Sequence, residues 1–303
     1  MKHLFIVNPV AGGKDKTGEI TQRVRAAFHD REEPFEIYVT KAPMDAVRKI
    51  EEEAQSGEPL RVYACGGDGT FNECVCGAAE KENVAVCPFP TGTGNDFCRM
   101  FGEEQELYRQ LAAVIDGTVR PIDVISCNGR YSANICSVGI DARIGTDVHK
   151  YSSLPLVGGA AAYVVSAAVN MFKGIARPMR IRVGDYERAE KISLACACNG
   201  RFYGGGFNPT PGARPDDGLL DILIVKKVNL FQFAALIGKY AAGHADELPA
   251  FVTHLRGTEM EIDFDESNVV NVDGEALYTD KVRMKLVPGG LKLIVPRGMR
   301  FFD

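Results

Sequence analysis

The stretch Arg61-Val62-Tyr63-Ala64-Cys65-Gly66-Gly67-Asp68-Gly69-Thr70-Phe71 decides how this chain folds. Val62 to Cys65 are a short apolar run of the kind that makes a buried strand, and a glycine-rich turn follows at once. A helix is predicted next, over residues 71–79. Gly66, Gly67 and Gly69 carry no Cβ, so their backbone can take φ > 0 and approach a bulky anion. The amides of such a turn, with the positive end of the helix behind them, suit phosphate. Asp68 is the odd member. A carboxylate beside phosphates is repelled unless a divalent cation lies between them, so the turn suggests a Mg2+-nucleotide. An ordinary strand-to-helix turn is the alternative that these residues alone leave open.

Toward the N-terminus, residues 3–7 read as a first strand and Asn8-Pro9-Val10-Ala11-Gly12-Gly13-Lys14 as the loop leaving it. Gly12, Gly13 and the charge of Lys14 could face phosphate, although the Walker spacing is absent. A helix over 19–28, with Thr17 as its cap, is followed by a strand over 35–39 ending at Thr40 and a helix over 45–55. On the C-terminal side a strand over 83–87 runs into a second glycine-rich loop, in which Thr91, Thr93 and Asn95 are short polar side chains suited to a nucleotide; a helix over 104–115 closes the unit. This alternation predicts a parallel sheet covered on both faces, with ligands gathered at the carboxyl ends of its strands. Four consecutive strands end in Asn8-Pro9, Thr40, the glycine-aspartate turn and the Thr/Gly/Asn loop, which makes nucleotide binding the favoured reading.

After Gly117 the pattern changes to short alternating strands joined by Asn-Gly, Asp-Gly and Gly-Gly turns. Strands are expected over 121–126, 131–138, 180–183, 192–198, 219–225, 251–255, 259–264, 269–272, 281–287 and 291–295, with helices near 141–148, 156–172 and 230–240. The fold class is therefore α/β plus β: an ATP-binding parallel-sheet domain over 1–122 and a β-sandwich domain over 123–303. The last segment is able to return to the first domain, and the two domains are expected to pack around a cleft.

At 303 residues and a net charge of −5, with no lysine or arginine block, the chain has no electrostatic case for nucleic acid. The apolar start is interrupted by Asn8-Pro9, so no signal peptide is expected. The run 156–172 falls short of the roughly 20 residues of a spanning helix. Nine cysteines in no disulfide or zinc spacing fit a reducing cytoplasm, with Cys196 and Cys198 packing as small hydrophobes on one face of a strand.

Taken together, Asn8-Pro9…Gly12-Gly13, Gly66-Gly67-Asp68-Gly69-Thr70…Asn72-Glu73, Pro90-Thr91-Gly92-Thr93…Asn95-Asp96-Phe97, Asp216-Asp217-Gly218 and Asp273-Gly274-Glu275 make the chain resemble the bacterial diacylglycerol kinase family of lipid kinases, related to sphingosine and ceramide kinases. The glycine-aspartate turn is shared with NAD kinases and phosphofructokinases. The resemblance implies ATP-dependent phosphorylation of a lipid hydroxyl, diacylglycerol first among the acceptors, with Mg2+. A kinase of a soluble alcohol (NAD- or sugar-type) and a nucleotide-binding regulator without turnover are the alternatives. By matching position, Thr40, the loop Gly66 to Asn72 and Thr93 would contact ATP. Glu275 would accept the proton, supported by Asp68 and Asp123. Arg214, Asp217 and the Leu219 backbone would occupy the place of a structural Mg2+ site; a guanidinium does not ligate metal, so Arg214 is expected to pair with Asp217 instead.

From the residues alone, Asp273-Gly274-Glu275 is equally a hairpin turn and Asp123 equally an outward position on an alternating strand. Glu73 is expected to cap its own helix, and His244 and His254 to be surface or interdomain residues. Lys281, Arg283 and Lys285 alternate with apolar residues and present a basic face, either merely solvated or touching an anionic membrane. Helix 156–172 is the other candidate for lipid contact. The partners expected are thus a lipid alcohol and, transiently, the inner membrane surface; a homodimer is a possible assembly that no motif fixes.

Overall fold

Leu4, Phe5, Ile6 and Val7 are all buried in the computed structural model of the chain, so the first strand has two apolar faces and must be covered on both. This β1 (Lys2–Val7) lies between β2 (Phe35–Val39) and β3 (Leu60–Gly66), parallel to each, and β4 (Val84–Pro90) runs parallel to β3. Helices α1 (Thr17–Ala27), α2 (Asp45–Ala54) and α3 (Asp68–Ala78) are the crossovers. The structure describes residues 1–91, 95–152, 169–171 and 174–303, with the side chains of 148–152 excepted; Thr93 and all of the run 156–172 but 169–171 lie outside them.

The chain divides into two compact units, Met1–Val124 with Val287–Asp303, and Ile125–Leu286. In the first, the end of the last strand, β13 (Glu275–Val295), pairs parallel with β4 through Lys292↔Ala85 and Leu293↔Val86, giving the order β13-β4-β3-β1-β2.

The second unit is antiparallel. β5 (Thr118–Cys127) and β6 (Arg130–Ser132) meet at Asn128-Gly129, whose φ values of 46° and 86° are those of a tight two-residue hairpin turn. β7 (Ile135–Gly139) and β8 (Arg177–Val183) each bridge the same two long strands, β9 (Tyr186–Cys198) and β12 (Glu259–Val272), at different points along them. β10 (Leu220–Lys226) and β11 (Val252–Gly257) extend the sheet from β9. Alternation sorts the strand side chains: Ala195 and Ala197 of β9 face the main core, whereas Leu194, Cys196 and Cys198 face a second one with Tyr240 and Leu248. Cys196 and Cys198 thus pack as small hydrophobes, and all nine cysteines are free. α6 (Ile140–Ser152), α7 (Leu230–Ala241) and a 3-10 turn, Ala245–Glu247, also belong to this unit.

Several elements differ from the sequence pattern. The helix expected over 104–115 is divided into a 3-10 stretch Gly102–Arg109, preceded by the short α4 (Asp96–Arg99), and α5 (Leu111–Ile115), because Gln110 between them is extended. The segment expected as one strand over 131–138 is split into β6 and β7. Two expected pairs of strands are single long ones, β12 and β13. The polar run Asp265-Glu266-Ser267 signals not a turn but the register shift between Asp263 and Asn268.

His3 carries the clearest pH signature of the fold. It is buried, hydrogen-bonded through Nδ1 to the Tyr63 hydroxyl at 2.9 Å, and burial pushes its imidazole down to about 4 from the ordinary 6.5. The folded protein therefore keeps His3 neutral where the unfolded chain takes up a proton. Stability contributed by this residue is full above pH 6.5 and falls on the order of 1 kcal/mol per pH unit between 6.5 and 4. Thermal melts across that range should show His3→Gln losing this part of the slope; an unchanged slope contradicts the assignment.

Candidate functional site

In the first unit, parallel register sets Val7 level with Val39 and Cys65, and Gly66 level with Pro90. The residues that follow each strand therefore emerge on one rim. The tightest point is Gly66: a Cβ there would stand 2.2 Å from Thr70 Oγ1. α3 can start at Asp68, with Gly67 as its cap, only because this position is bare. The helix thus begins three residues earlier than expected from the sequence, and Gly69 and Thr70 belong to its first turn, where backbone N–H groups have no acceptor within the helix.

The neighbouring loops are tied to this turn. Asn8 donates to Thr70 Oγ1 at 3.2 Å and accepts from the Val10 amide at 3.1 Å. Gly12 and Gly13 follow with φ of 71° and 74°, a conformation that favours glycine. The Thr40 amide donates to Val7 O at 2.9 Å. From the other side, Asn95 donates to Gly66 O at 3.4 Å, the Asp96 amide donates to Asp68 Oδ1 at 2.7 Å, and the Lys16 ammonium donates to Thr91 O. Thr70, Asn72 and Asn95 are buried polar residues; Asn72 accepts the Cys76 thiol at 3.8 Å. Thus Asn8, Gly12, Gly13, Thr40, Gly66, Gly67, Asp68, Gly69, Thr70 and Asn95 all stand at or beside the strand ends of one rim. The donor set, bare glycines at the first turn of a helix, fits a nucleotide's phosphates.

Asp123, on β5, is buried and accepts from the Gly289 amide at 2.8 Å. It is not an outward position of an alternating strand. Glu73 does not cap its own helix either; it accepts from the Met44 and Ala46 amides at 2.9 and 3.3 Å and so caps α2.

In the second unit, Asp273 and Gly274 form the two-residue turn between β12 and β13, with φ of 49° and 97°, and Glu275 pairs with Val272 across it. The Asp273 carboxylate accepts from Ser132 Oγ at 2.6 Å, Ala133 N at 3.0 Å and Ile135 N at 2.8 Å. That clamp fixes the tip and leaves Glu275 exposed to solvent. The motif was legible in the sequence; the role of Asp273 as its anchor was not.

Arg214 departs from expectation. It makes a two-point pair with Asp216, at 3.0 and 3.2 Å, not with Asp217. Asp217 is engaged by the Arg256 guanidinium and accepts from the Leu219 amide at 3.1 Å. Among the described residues no group of three or more His, Cys, Asp or Glu is placed to hold a metal. Arg214, Asp217 and Leu219 do not fit Mg2+, since cationic guanidinium groups already take both carboxylates.

His254 is partly buried between Asp221 (2.7 Å) and Asp246 (3.2 Å), and the hydrogen bond with Asp221 raises its imidazole above the ordinary value. Asp141, read from the sequence only as a helix start, has its carboxyl raised by burial to about 7. The basic stripe is largely offset: Arg283 pairs with Glu259 at 2.6 Å and Lys281 with Asp263 at 3.6 Å.

A parallel nucleotide-type rim in one unit and an antiparallel sandwich in the other define a two-part phosphotransferase. The comparisons agree. Residues 2–127 match the diacylglycerol kinase catalytic domain and residues 134–295 the YegS C-terminal NAD kinase beta sandwich-like domain. A Chromohalobacter salexigens protein named "Probable lipid kinase YegS-like" is 31% identical over 97% of this chain and 93% of its own. The Bacillus subtilis diacylglycerol kinase is 28% identical over 89% of this chain and 88% of its own. The crystal structure of a diacylglycerol kinase from Bacillus anthracis superposes with a TM-score of 0.70 at 26% identity, covering 99% of this chain and 98% of that one. The chain belongs to the diacylglycerol kinase family of bacterial lipid kinases, and it is an ATP-dependent kinase.

Two outcomes follow from this geometry. Gly66→Ala should cost on the order of 1–3 kcal/mol of stability through overpacking and abolish detectable Mg2+-ATP binding by calorimetry; wild-type binding would contradict the account of the rim. A chelator added in the absence of nucleotide should leave the melting temperature unchanged, because ion pairs occupy the metal position; a clear drop contradicts that.

Proposed function

We propose that the protein transfers the γ-phosphoryl group of ATP to the hydroxyl of a lipid alcohol, with diacylglycerol as acceptor and phosphatidic acid as product. The observation that carries this reading is the common rim formed by Asn8, Thr40, Gly66 to Thr70 and Asn95, in which Gly66 admits no side chain. Family membership and the relatives' names support the lipid as acceptor.

In this reading Gly12, Gly13 and the Gly66, Gly67, Gly69 and Thr70 backbone receive the phosphates. Asn8, Thr40, Asn72, Thr93 and Asn95 hold the remainder of the nucleotide. Mg2+ arriving with ATP supplies charge neutralisation of the phosphate oxygens. Glu275 takes the proton of the acceptor hydroxyl as its oxygen bonds to the γ-phosphorus; the bridging β–γ oxygen bond breaks and ADP leaves. Asp68 and Asp123 support that carboxylate electrostatically and keep their loops in place through the Asp96 and Gly289 amides. The substrate lies in a bilayer, so the protein works from the cytoplasm and meets the inner membrane surface transiently.

Incubation of a panel of lipid alcohols, with NAD as the soluble comparison, and labelled ATP should give a labelled product with diacylglycerol and none with NAD. Glu275→Gln should lower turnover by about 10²–10⁴-fold while leaving nucleotide affinity nearly unchanged. Full activity in that variant removes Glu275 as the base, and product only from the soluble alcohol removes the lipid.

A further inference from the structure

Helix α7 reads Leu-Phe-Gln-Phe-Ala-Ala-Leu-Ile-Gly-Lys-Tyr-Ala and contains no acidic residue. Its start is fixed by a reciprocal cap, with Asn229 and Gln232 each accepting the other's backbone amide at 2.9 Å. One face is satisfied: Phe233, Leu236, Ile237 and Tyr240 line a small apolar cavity with strand residues of the same unit. The other face is apolar as well, and among the described residues nothing packs on it. Phe231 is 85% exposed and Leu230 48% exposed, with Ala234, Ala235 and Gly238 exposed beyond them. Two large adjacent side chains left in water on an already packed helix are unfavourable unless a second apolar phase receives them.

Charge points to which phase. Lys226 and Lys227 lie five and four residues before Phe231, and neither has an ion-pair partner among the described residues. The one lysine of the helix itself, Lys239, is neutralised by Glu247 at 2.8 Å at the far end. An apolar tip with uncompensated cations at its base, and no acid along the helix, matches an anionic lipid surface: acyl chains for the tip and headgroup phosphates for the cations. The strand that alternates Lys281, Arg283 and Lys285 offers no such surface, since acids of β12 offset two of its charges.

We propose that α7 is the element by which the protein docks on an anionic bilayer, with Leu230 and Phe231 entering the acyl boundary and Lys226 and Lys227 at the level of the lipid phosphates. This rests on the reading that the acceptor is a lipid, and it adds the surface through which that substrate is reached. Two inserted side chains and two cations give a reversible association, not an anchor.

Flotation with phosphatidylcholine vesicles, with and without phosphatidylserine, tests it. Wild-type protein should float with the anionic vesicles. Phe231→Ser should bind on the order of tenfold less tightly, and Phe231→Trp at least as tightly as wild type. Lys226→Ala and Lys227→Ala should each weaken binding roughly fivefold, on anionic vesicles only. All four variants should retain wild-type turnover on diacylglycerol dispersed in detergent micelles. Unchanged flotation of Phe231→Ser overturns the proposal. So does a wild-type dimer that Phe231→Ser converts to monomer, which would make the face an interface between two copies. Absence of turnover on micellar diacylglycerol with vesicle binding intact would instead tell against the substrate reading alone.

Discussion

The contact on which the first unit depends is the closure of Thr70 onto Gly66. A strand entering a helix through the single residue Gly67 has to fold the helix's first turn back against its own end. Here the approach leaves 2.2 Å where a Cβ would stand. Three consequences follow from that one bare carbon. The helix starts early, its first-turn amides face the rim, and Thr70 Oγ1 becomes the acceptor for Asn8. The glycine is there for proximity and not for φ, since none of Gly66, Gly67 and Gly69 takes a positive φ. The loop after β1, by contrast, uses glycine for conformation, at Gly12 and Gly13.

The carboxylates have more structural work than their motifs suggest. Asp68, Asp123 and Asp273 each accept at least one backbone N–H from a separate stretch of chain: Asp96, Gly289, and the 132–135 segment respectively. A carboxylate that accepts backbone amides is held in one orientation and ties its own loop to a distant stretch of chain. Around residues 214–217 the carboxylates are met by guanidinium groups. Arg214 on Asp216 and Arg256 on Asp217 provide positive charge from within the chain.

How much of this could be read beforehand varied with the range of the interactions involved. The first four strands and their crossovers were legible, because buried runs such as Leu4 to Val7 and Val62 to Cys65 have no other stable use. The Asn128-Gly129 and Asp273-Gly274 turns were legible from chemistry that few residues share. What a single sequence did not carry was pairing between distant residues. Arg214 could choose between two adjacent aspartates, and Asp217 was taken by Arg256 of β11, 39 residues away in sequence. Glu73 found the open end of α2 and not of its own helix. The split of 104–115 came from Gln110, a residue with no breaker signature, and the burial behind the raised Asp141 carboxyl depends on packing that no local pattern marks.

The central claim is that the carboxyl-end rim of the parallel sheet grips the nucleotide. Hydrogen exchange with mass-spectrometric readout, with and without a saturating non-hydrolysable Mg2+-ATP analogue, tests it most directly, because bound amides exchange more slowly. Protection should concentrate in peptides covering residues 8–13, 66–72 and 95–97. Protection at the opposite strand ends, around 30–34, 57–60 and 80–84, or none anywhere at saturation, would contradict the account.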